Sequence, residues 1–323
     1  MGGFIDKVTR PCRRFTDFFP LAALCSVLLV IVGGILSMAV YELLDVQDKL
    51  IAWSGSDSIG IFLGDYLGTF GVWVAFLLFA VIFKKNRPML KALAPNKSLN
   101  NIKGILLGLL LGFGTNGLCV LISVLMGDIK LSYSGFDWKL LIAFLVFIFI
   151  QSSSEEVTDR VYLYQKLRRR YRSPLAAILI NSIVFMAMHM GNPGFTWVAG
   201  SQIFLAGLIW SLLVYYYDSV WVAFWFHAAW NYTQNIIFGL PNSGIISEYS
   251  IFKLEAASAR NGLFYNVDFG VEGSIGSSLV LLVVIIVLVI INRKKPEKRD
   301  YWAEAEKAAA EDREMMASAK HAK

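Results

Sequence analysis

The apolar positions of this chain group into eight runs, each close to or somewhat below the roughly 20 residues that a helix needs to cross a hydrocarbon core of about 30 Å. The runs cover residues 21–41, 66–83, 105–126, 140–150 or beyond, 175–189, 198–217, 220–238 and 279–291. The fourth, fifth and last runs are short, so we expect their ends to lie in the flanking sequence. This pattern predicts an all-α polytopic membrane protein with about eight transmembrane helices.

The composition supports this prediction. Hydrophobic residues make up 56% of the 323 positions, the mean hydropathy is +0.57 and 17% of the residues are charged, whereas soluble domains carry about a quarter of charged residues. An ordinary soluble domain is therefore excluded. The first run is too long for a signal-peptide core and lacks a clear cleavage site, so we expect a retained helix. Cys12, Cys25 and Cys119 show no paired spacing, which argues against a disulfide framework or a zinc ribbon.

The net charge of +6 reflects the orientation of the helices rather than an anionic partner such as nucleic acid. Basic residues precede the first run and follow the second, fourth and eighth runs, at Lys7, Arg10, Arg13, Arg14, Lys84, Lys85, Arg87, Lys91, Lys97, Lys103, Lys166, Arg168, Arg169, Arg170, Arg172, Arg293, Lys294 and Lys295. The loop after the first run is acidic instead. The positive-inside rule then predicts an integral protein of the cell membrane with both termini in the cytoplasm.

The runs and the charges together divide the chain into six segments. These are a basic cytoplasmic N-terminus (1–20), scaffold helices one to three (21–135), helices four to seven (136–244), an extracytoplasmic loop (245–276), helix eight (277–293) and a charged cytoplasmic tail (294–323). Gly33 and Gly34 are predicted points of close helix packing, and Asn116 is expected to hydrogen-bond within the bundle. The composition of the tail predicts a solvated, partly formed helix without chemistry.

The stretch from Gln151 to Arg160 places four ionisable groups within six residues at the end of the fourth run. A charged side chain at bilayer depth costs about 2.5 to 3.5 kcal/mol, so such residues usually face a protein interior or a wet cavity. In the alternative interpretation, the helix ends at Ile150 and the charges are solvated. The basic boundary begins only at Lys166, after the aromatic pair Tyr162 and Tyr164, which favours one continuous helix.

Two of the three histidines lie in apolar runs. His189 ends the fifth run, four residues after Phe185, and His227 precedes Asn231 by four residues in the seventh. Residues four apart share a helix face, so His227 and Asn231 can point to one place. A lone histidine in an apolar helix is usually structural, but two of them beside a Glu-Glu pair in one membrane bundle favour a catalytic site.

Three motifs in this order resemble those of the CAAX protease and bacteriocin-processing (CPBP, or Abi) family of intramembrane proteases: Glu-Glu-x-x-x-Arg at 155–160, Phe-x-x-x-His at 185–189 and His-x-x-x-Asn at 227–231. The resemblance covers about residues 139–244. It implies an all-helical membrane protein whose conical cavity binds a polypeptide and cleaves it with glutamate-activated water. Asp159 and Val161 depart from the family pattern, in which an aromatic residue usually precedes the arginine and a small residue follows it.

The chemistry of peptide hydrolysis agrees with this resemblance, because the reaction needs a base for water and donors for the tetrahedral oxyanion. We predict that Glu155 and His189 bind and deprotonate a water. His227 and Asn231 are predicted to donate hydrogen bonds to the oxyanion.

Further ionisable residues surround these four. Glu156 and Arg160, four residues apart, are predicted to form a supporting ion pair. Asp159 lies one turn after Glu155, and two close carboxylates tend to share a proton, which can tune the base or disable it. The motif His-Glu-x-x-His is absent, which excludes the common zincin geometry. One carboxylate and two imidazoles can still complete a zinc site, so the cofactor is unknown, and a divalent metal such as zinc is open but not required.

The resulting prediction is an intramembrane endopeptidase that acts on a membrane-associated or lipidated peptide in the lipid bilayer. A non-catalytic scaffold or immunity protein of the same fold is the first alternative, supported by Asp159 and Val161. A small-solute transporter is the second, although neither an inverted repeat nor paired broken helices support it. The residues do not select a substrate or an oligomeric state.

Overall fold

The computed structural model describes residues 8–10, 14–293 and 300–321. Cys12 and the basic residues Lys7, Arg13, Lys294 and Lys295, which enter the sequence interpretation, lie outside the described residues. The described chain is mostly helical.

Helices α1 to α6 cover Phe19–Leu44, Val46–Ser54, Asp57–Gly68, Phe70–Ile82, Ile102–Leu125 and Trp138–Glu156. Helices α7 to α12 cover Tyr164–Arg170, Pro174–Met188, Trp197–Tyr217, Val220–Tyr232, Ile275–Ile291 and Tyr301–His321. Strands β1 and β2 are Leu131–Tyr133 and Phe252–Leu254. Short 3₁₀ segments lie at Phe15–Asp17, Lys84–Leu93, Ala256–Ser258 and Val271–Gly273. Two π-helical segments lie at Val157–Leu163 and Thr233–Ile237.

Long apolar helices dominate the architecture. Five helical segments of the described chain are long and apolar enough to cross a membrane, namely Phe19–Leu44, Asp57–Ile82, Ile102–Leu125, Trp138–Arg170 and Trp197–Tyr217. Helices α8 and α11 are shorter and also apolar, and α10 continues through its π-helical segment to Ile237. Each of the eight apolar runs lies on one of these helices. The prediction of an all-α polytopic membrane protein is therefore confirmed.

Polar residues between the apolar runs mark where several helices begin. Asp137 accepts a hydrogen bond from the backbone N–H of Lys139 (2.8 Å) at the start of α6. Ser56, Thr196 and Ser219 cap α3, α9 and α10 in the same way. An N-cap side chain satisfies backbone donors that have no partner inside the helix. The helix starts are thus determined by local sequence as well as by hydrophobicity.

Small residues bring helices together at specific points. A Cβ atom added at Gly33 of α1 would lie 2.5 Å from the Val72 backbone of α4, which confirms the predicted close approach. Gly34 has no such neighbour within 4 Å, so the prediction for Gly34 is wrong. The physical reason is the helical period, because adjacent residues point about 100° apart and only one of the two glycines faces α4.

Helices α5 and α10 pack closely because glycines of α5 face the backbone of α10. A Cβ atom at Gly108 or Gly112 would lie 2.7 Å or less from atoms of α10. Asn116, one turn further on, is buried and donates a hydrogen bond to Gln234 Oε1 at 2.7 Å. The expectation that Asn116 hydrogen-bonds inside the bundle is confirmed. This close packing holds α10, and with it His227, in the centre of the molecule.

One end of the bundle is here called the basic face. It is formed by the N-terminal segment, the 84–101 loop, α7 and the start of α12. Lys166 Nζ donates to Asp17 Oδ1 and Asn86 Oδ1, both at 2.8 Å. Tyr301 and Trp302 are buried there, 3% and 4% exposed. The tail is helical, as expected, but its first turn is docked, which corrects the prediction of a wholly solvated tail. Two aromatic side chains in an otherwise charged segment account for this docking.

At the opposite end, the segment after α10 folds back over the bundle. Strands β1 and β2 pair antiparallel with Ser132 opposite Lys253. Tyr265, Phe269 and Val271 from this segment are buried in the core. The segment predicted as a loop is therefore a packed cap on the bundle, and it brings further polar residues to the helices below it.

Candidate active site

The charged stretch lies in the interior of one continuous helix. Helix α6 continues through the π-helical segment Val157–Leu163 into α7, so that the span runs from Trp138 to Arg170. Glu156, Asp159 and Arg160 are fully buried. The alternative in which the helix ends at Ile150 is wrong. The apolar and aromatic residues that follow the charges are packed against neighbouring helices and keep water away from this part of the helix.

The π-helical segment is held by side chains from other helices. Asn181 of α8 donates to the backbone oxygen of Asp159 at 2.8 Å, and Ser26 of α1 donates to the backbone oxygen of Thr158 at 3.3 Å. A π-helical turn leaves backbone carbonyls with weaker helical partners, and such turns are frequent at functional sites. The second π-helical segment follows Asn231 in the same manner. Both motif-bearing helices therefore change their winding just after the candidate residues.

Three side chains from separate elements converge on one point. His189 follows α8 and His227 lies in α10, and their Nε2 atoms lie 3.8 Å and 3.9 Å from Glu155 Oε2 in α6. The other oxygen of this carboxylate, Oε1, accepts a hydrogen bond from Gln151 Nε2 at 2.5 Å. Glu155 Oε2 is buried and has no hydrogen-bond partner among the residues that the structure describes. The separations exceed a direct hydrogen bond, and they allow a single small species to contact all three atoms.

The hydrogen bonds of the two imidazoles indicate which nitrogen faces this point. His189 Nδ1 lies 2.8 Å from the backbone oxygen of Phe185. His227 Nδ1 lies 3.0 Å from Glu156 Oε1. A carbonyl and a carboxylate only accept hydrogen bonds, so Nδ1 carries the proton in each ring. The Nε2 atom of each ring consequently faces Glu155, and in a neutral ring this atom carries the lone pair.

Glu156 and Arg160 form the ion pair that their spacing predicted. Arg160 Nη1 lies 3.0 Å from Glu156 Oε1, and Arg160 Nη2 donates to the Gly207 oxygen at 3.2 Å. The guanidinium also faces the Phe185 and Trp210 rings, with 4.7 Å and 5.2 Å to their centroids. Buried charges need such partners to offset the loss of hydration. Glu156 contacts His227 as well, a contact that the sequence did not predict.

Asp159, the departure from the family motif, also belongs to this ion cluster. Its Oδ2 lies 3.7 Å from Arg160 Nη1, and the residue is fully buried. Arg160 therefore faces two carboxylates, those of Glu156 and Asp159. Val161, the second departure, is buried in the hydrophobic core. Whether Asp159 shares a proton with Glu155 stays a prediction.

Asn231 is held by partners on both sides of its amide. Its Nδ2 lies 3.2 Å from Ser152 Oγ and 3.3 Å from Gln151 Oε1. Its Oδ1 accepts a hydrogen bond from Asn242 Nδ2 at 3.2 Å. The amide NH₂ is thus turned toward the motif helix α6, and the amide oxygen is turned toward the cap.

A cavity of about 240 Å³ surrounds these groups. It is lined by Val30, Tyr66, Gln151, Glu155, Thr158, Met188, His189, Asn192, His227, Asn231, Asn242, Ser243 and Ile245. Most of these side chains are polar, and polar groups that converge in one cavity are a feature of binding and catalytic sites. All four predicted catalytic residues line this one cavity.

Two lining residues, Asn242 and Ser243, and their partner Glu272 were missed by sequence reasoning. Asn242 and Ser243 lie in a Pro-Asn-Ser-Gly cluster that reads as an ordinary turn, and Glu272 lies far along the chain in the cap. A weak signal was present for Glu272, which is an isolated acid between the aromatic Phe269 and an apolar helix. Their place in the site follows from how the cap folds back onto α10, which local pattern does not encode.

The donor types around Glu155 are compatible with a divalent cation as well as with water. Carboxylate oxygen and imidazole nitrogen are common zinc ligands, about 2.0 to 2.2 Å from the metal, which places tetrahedral ligands roughly 3.3 to 3.5 Å apart. The observed separations of 3.8 Å and 3.9 Å are somewhat wider. Over residues 8–10, 14–293 and 300–321, no group of three or more such side chains has the geometry of a ready metal site.

Comparison with known proteins shows which family this chain is similar to. Residues 137–233 match the family model described as "Type II CAAX prenyl endopeptidase Rce1-like". This range contains all three motifs, so the resemblance to the CAAX protease family is confirmed. Together with the apolar helices, the match indicates an integral membrane protein that is similar to this family over residues 137–233. The Rce1-like family is a family of proteases, which supports a peptidase at the level of the family.

The chain is also similar to one named bacterial protein. It is 31% identical over 175 residues to the uncharacterized protein YyaK of Bacillus subtilis (strain 168), an alignment that covers 50% of this chain and 54% of YyaK. The chain therefore spans about half the length of the curated relative that it matches. No solved structure matches significantly.

Proposed function

We propose that this protein is an intramembrane endopeptidase that hydrolyses a peptide bond of a membrane-associated or lipidated polypeptide. Glu155, His189, His227 and Asn231 are its catalytic residues in this proposal. The observation that carries it is the convergence of Glu155 Oε2 with the two imidazole Nε2 atoms, 3.8 Å and 3.9 Å away, in a cavity within the bundle.

In the proposed mechanism, Glu155 and His189 bind the attacking water. Glu155 Oε2 has spare acceptor capacity, and His189 presents an Nε2 lone pair to the same point, so the water can give its proton to the carboxylate as it attacks the carbonyl carbon. The protonated Glu155 then gives this proton to the leaving amine as the C–N bond breaks and the tetrahedral intermediate collapses to a carboxyl group. A base must lie within hydrogen-bond reach of the proton that it removes. The Gln151 hydrogen bond to Oε1 holds the carboxylate with Oε2 facing the imidazoles.

Asn231 and His227 stabilise the oxyanion. The Asn231 NH₂ group donates to Ser152 and Gln151 of α6, and by exchanging one of these hydrogen bonds it can donate to the oxyanion without reversing its amide. Donation from His227 Nε2 requires the protonated ring, whose charge would lie between Glu155 and Glu156. The Trp210 ring, stacked on His227 at 4.1 Å, keeps the imidazole in this orientation. Preorganised donors of this kind usually supply the largest single share of catalysis.

A divalent cation would be held by the same three atoms, those of Glu155, His189 and His227. When bound, it would supply a more acidic water. The Nδ1 hydrogen bonds to the Phe185 oxygen and Glu156 would then orient the ligands, as in many metal sites. The proposal does not require this ion.

The proposal also covers the orientation of the protein in the membrane, its cellular location and the bounds of its catalytic segment. The positive-inside rule supports a cytoplasmic basic face and places the cap, residues 245–276, outside. Helices four to seven, residues 136–244, would form the catalytic segment, because they carry all four residues. A protein in the cell membrane with both termini in the cytoplasm satisfies this arrangement.

The test uses full-length protein in liposomes with quenched fluorescent peptides, each in a prenylated and an unmodified form. Wild type is compared with Glu155→Ala, His227→Ala and the matched control Glu248→Gln, an exposed acid of the cap that contacts Ser56. We expect cleavage by wild type and control, and loss of at least about 100-fold in the two site variants.

Two outcomes would contradict the proposal. Equal cleavage by wild type and both alanine variants would remove the site assignment. Folded protein that cleaves none of the peptides would favour the alternative of a non-catalytic membrane scaffold or immunity protein, for which the buried Asp159 in place of the usual aromatic residue is the specific observation.

A further inference from the structure

Glu272 is a buried acid outside the three motifs and outside the segment that matches the family model. It lies in the 3₁₀ segment just before α11 and is 5% exposed. Four hydrogen-bond donors point at its carboxylate. Trp230 Nε1 (2.7 Å) and Asn242 Nδ2 (3.0 Å) donate to Oε1, and the backbone N–H (2.7 Å) and Oγ (3.0 Å) of Ser243 are directed at Oε2.

This arrangement suits an ionised carboxylate, which has two acceptor oxygens and no donor. Two donors reach each oxygen, so the acceptor capacity of both is used. Burial raises the pKa of Glu272, and the hydrogen bonds from Ser243 and Trp230 oppose that rise. An amide in the same place would direct its NH₂ group at two of the four donors. The geometry is therefore specific for the acid.

The carboxylate determines the orientation of two side-chain amides, first that of Asn242 and through it that of Asn231. Because Glu272 Oε1 can only accept, the group of Asn242 that faces it must be the NH₂. The same NH₂ group donates to Asn231 at 3.2 Å, so Asn231 must present its oxygen to Asn242. The NH₂ group of Asn231 then faces Ser152 Oγ and Gln151 Oε1, and Gln151 lines the cavity. An Asn231 amide rotated by 180° would direct an acceptor oxygen at the cavity instead.

We propose that Glu272 is a positioning residue that acts through Asn242 to keep the amide NH₂ of Asn231 directed at α6, at the wall of the cavity that Gln151 lines. The inference rests on the proposed function, because this orientation matters for catalysis only if Asn231 donates a hydrogen bond to the oxyanion. Trp230 and Ser243 hold the carboxylate, and the carboxylate in turn holds the 242–245 turn against α10.

The first test compares Glu272→Gln with Glu248→Gln, the exposed cap acid, in the cleavage assay. We expect Glu272→Gln to lower kcat about 10- to 100-fold, as loss of an orienting partner commonly does, with KM changed by less than about twofold because no substrate contact is removed. The control should match wild type. An unchanged kcat for Glu272→Gln would overturn the proposal.

A double-mutant comparison separates positioning from general damage. Glu272→Gln in an Asn231→Ala background should cause little further loss of kcat, because the group that it positions is already absent. Equal losses in both backgrounds would overturn the proposal. If Glu272→Gln does not fold, Asn242→Ala removes the same link while Glu272 keeps Trp230 and Ser243, and the same non-additivity with Asn231→Ala is expected.

A measurement without substrate keeps this inference distinct from the proposed function. Amide hydrogen exchange of the 242–245 turn should be faster in Glu272→Gln than in Glu248→Gln or wild type, because the Ser243 N–H loses its ionised acceptor. If wild type cleaves no peptide, the proposed function fails, and this exchange still decides whether Glu272 holds the turn. Unchanged exchange in the turn would overturn the proposal in either case.

Discussion

The same helical span carries two buried charge clusters that differ in the groups that face their carboxylates. At the basic face, Lys166 meets Asp17 and Asn86 at 2.8 Å, and Asp17 also faces Arg169 at 3.4 Å. In the cavity, Glu155 Oε2 faces two imidazoles at 3.8 Å and 3.9 Å with no direct hydrogen bond. A buried carboxylate that hydrogen-bonds to a cation maintains structure, whereas a carboxylate oxygen that faces only imidazoles beside a cavity is available for chemistry.

Substitution of Glu155 should have the largest effect on cleavage. Glu155→Gln keeps the size of the side chain and an oxygen that can accept from Gln151, but it cannot take a proton from water. We expect cleavage to fall about 10²- to 10⁴-fold with Tm unchanged or slightly raised, since a buried carboxylate is removed. Initial rates and thermal unfolding in the same detergent check this. A large loss of Tm with normal cleavage would show that Glu155 maintains the structure and does not take part in the chemistry.

Substitution of Lys166 should have the opposite profile. Lys166→Met leaves the buried Asp17 without its closest cation, and breaking a buried pair costs about 3 to 5 kcal/mol in the free energy of unfolding. Cleavage per folded molecule should stay near wild type. Unfolding by denaturant measures the loss, with Lys307→Met as the control, because Lys307 is exposed and pairs only with Glu311 among its described neighbours. Equal stability of the two variants would contradict this interpretation.

Substitution of Asp159 tests the comparison more finely. Asp159 is buried in the ion cluster around Arg160, and it also lies one helical turn after Glu155. Asp159→Asn removes a charge 3.7 Å from Arg160 but leaves the shorter Glu156 pair intact. We expect cleavage to change by less than about tenfold, since hydrogen-bonded pairs contribute more than longer contacts. A pH profile of cleavage for both proteins is the measurement. A loss as large as that of Glu155→Gln would show that Asp159 takes part in the chemistry.

Chelation should have the smallest effect. If water binds directly to Glu155 and His189, treatment with 1,10-phenanthroline should change cleavage by less than about twofold, because no step needs a metal. The charge cluster at the basic face does not depend on a metal. The Tm should therefore be the same with and without the chelator, which is the control for damage to the fold. Loss of cleavage that zinc restores would instead place a cation between Glu155, His189 and His227.

The helices were predictable because hydrophobic length and composition are local properties. Each apolar run has its helix, and the continuous span through Glu155 and Arg160 followed from the late position of the basic boundary at Lys166. Gly33 and Gly34 show the limit of this reasoning. Both are small residues in the same run, yet only Gly33 faces α4, because the rotation of each helix about its axis depends on its neighbours.

Some features of the candidate site were likewise predictable from the sequence, and others depend on the tertiary structure. The spacing of His227 and Asn231 in one helix and the order of the three motifs are properties of the sequence alone. The joining of Glu156 to His227 and of Glu272 to Asn242 links residues 71 and 30 positions apart. Such contacts depend on the packing of helices and on the fold of the cap, which no local period encodes.

The sequence by itself determined the membrane helices, the resemblance to a protease family and the four residues proposed for catalysis. Hydrophobic runs must lie in lipid or protein, and charged motifs inside them need a buried setting. Only the tertiary structure decided which nitrogen of each histidine faces Glu155, which way the Asn231 amide points and that Glu272 belongs to the site. The orientation of a polar side chain is set by its hydrogen-bond partners, and here those partners meet only when distant segments pack together.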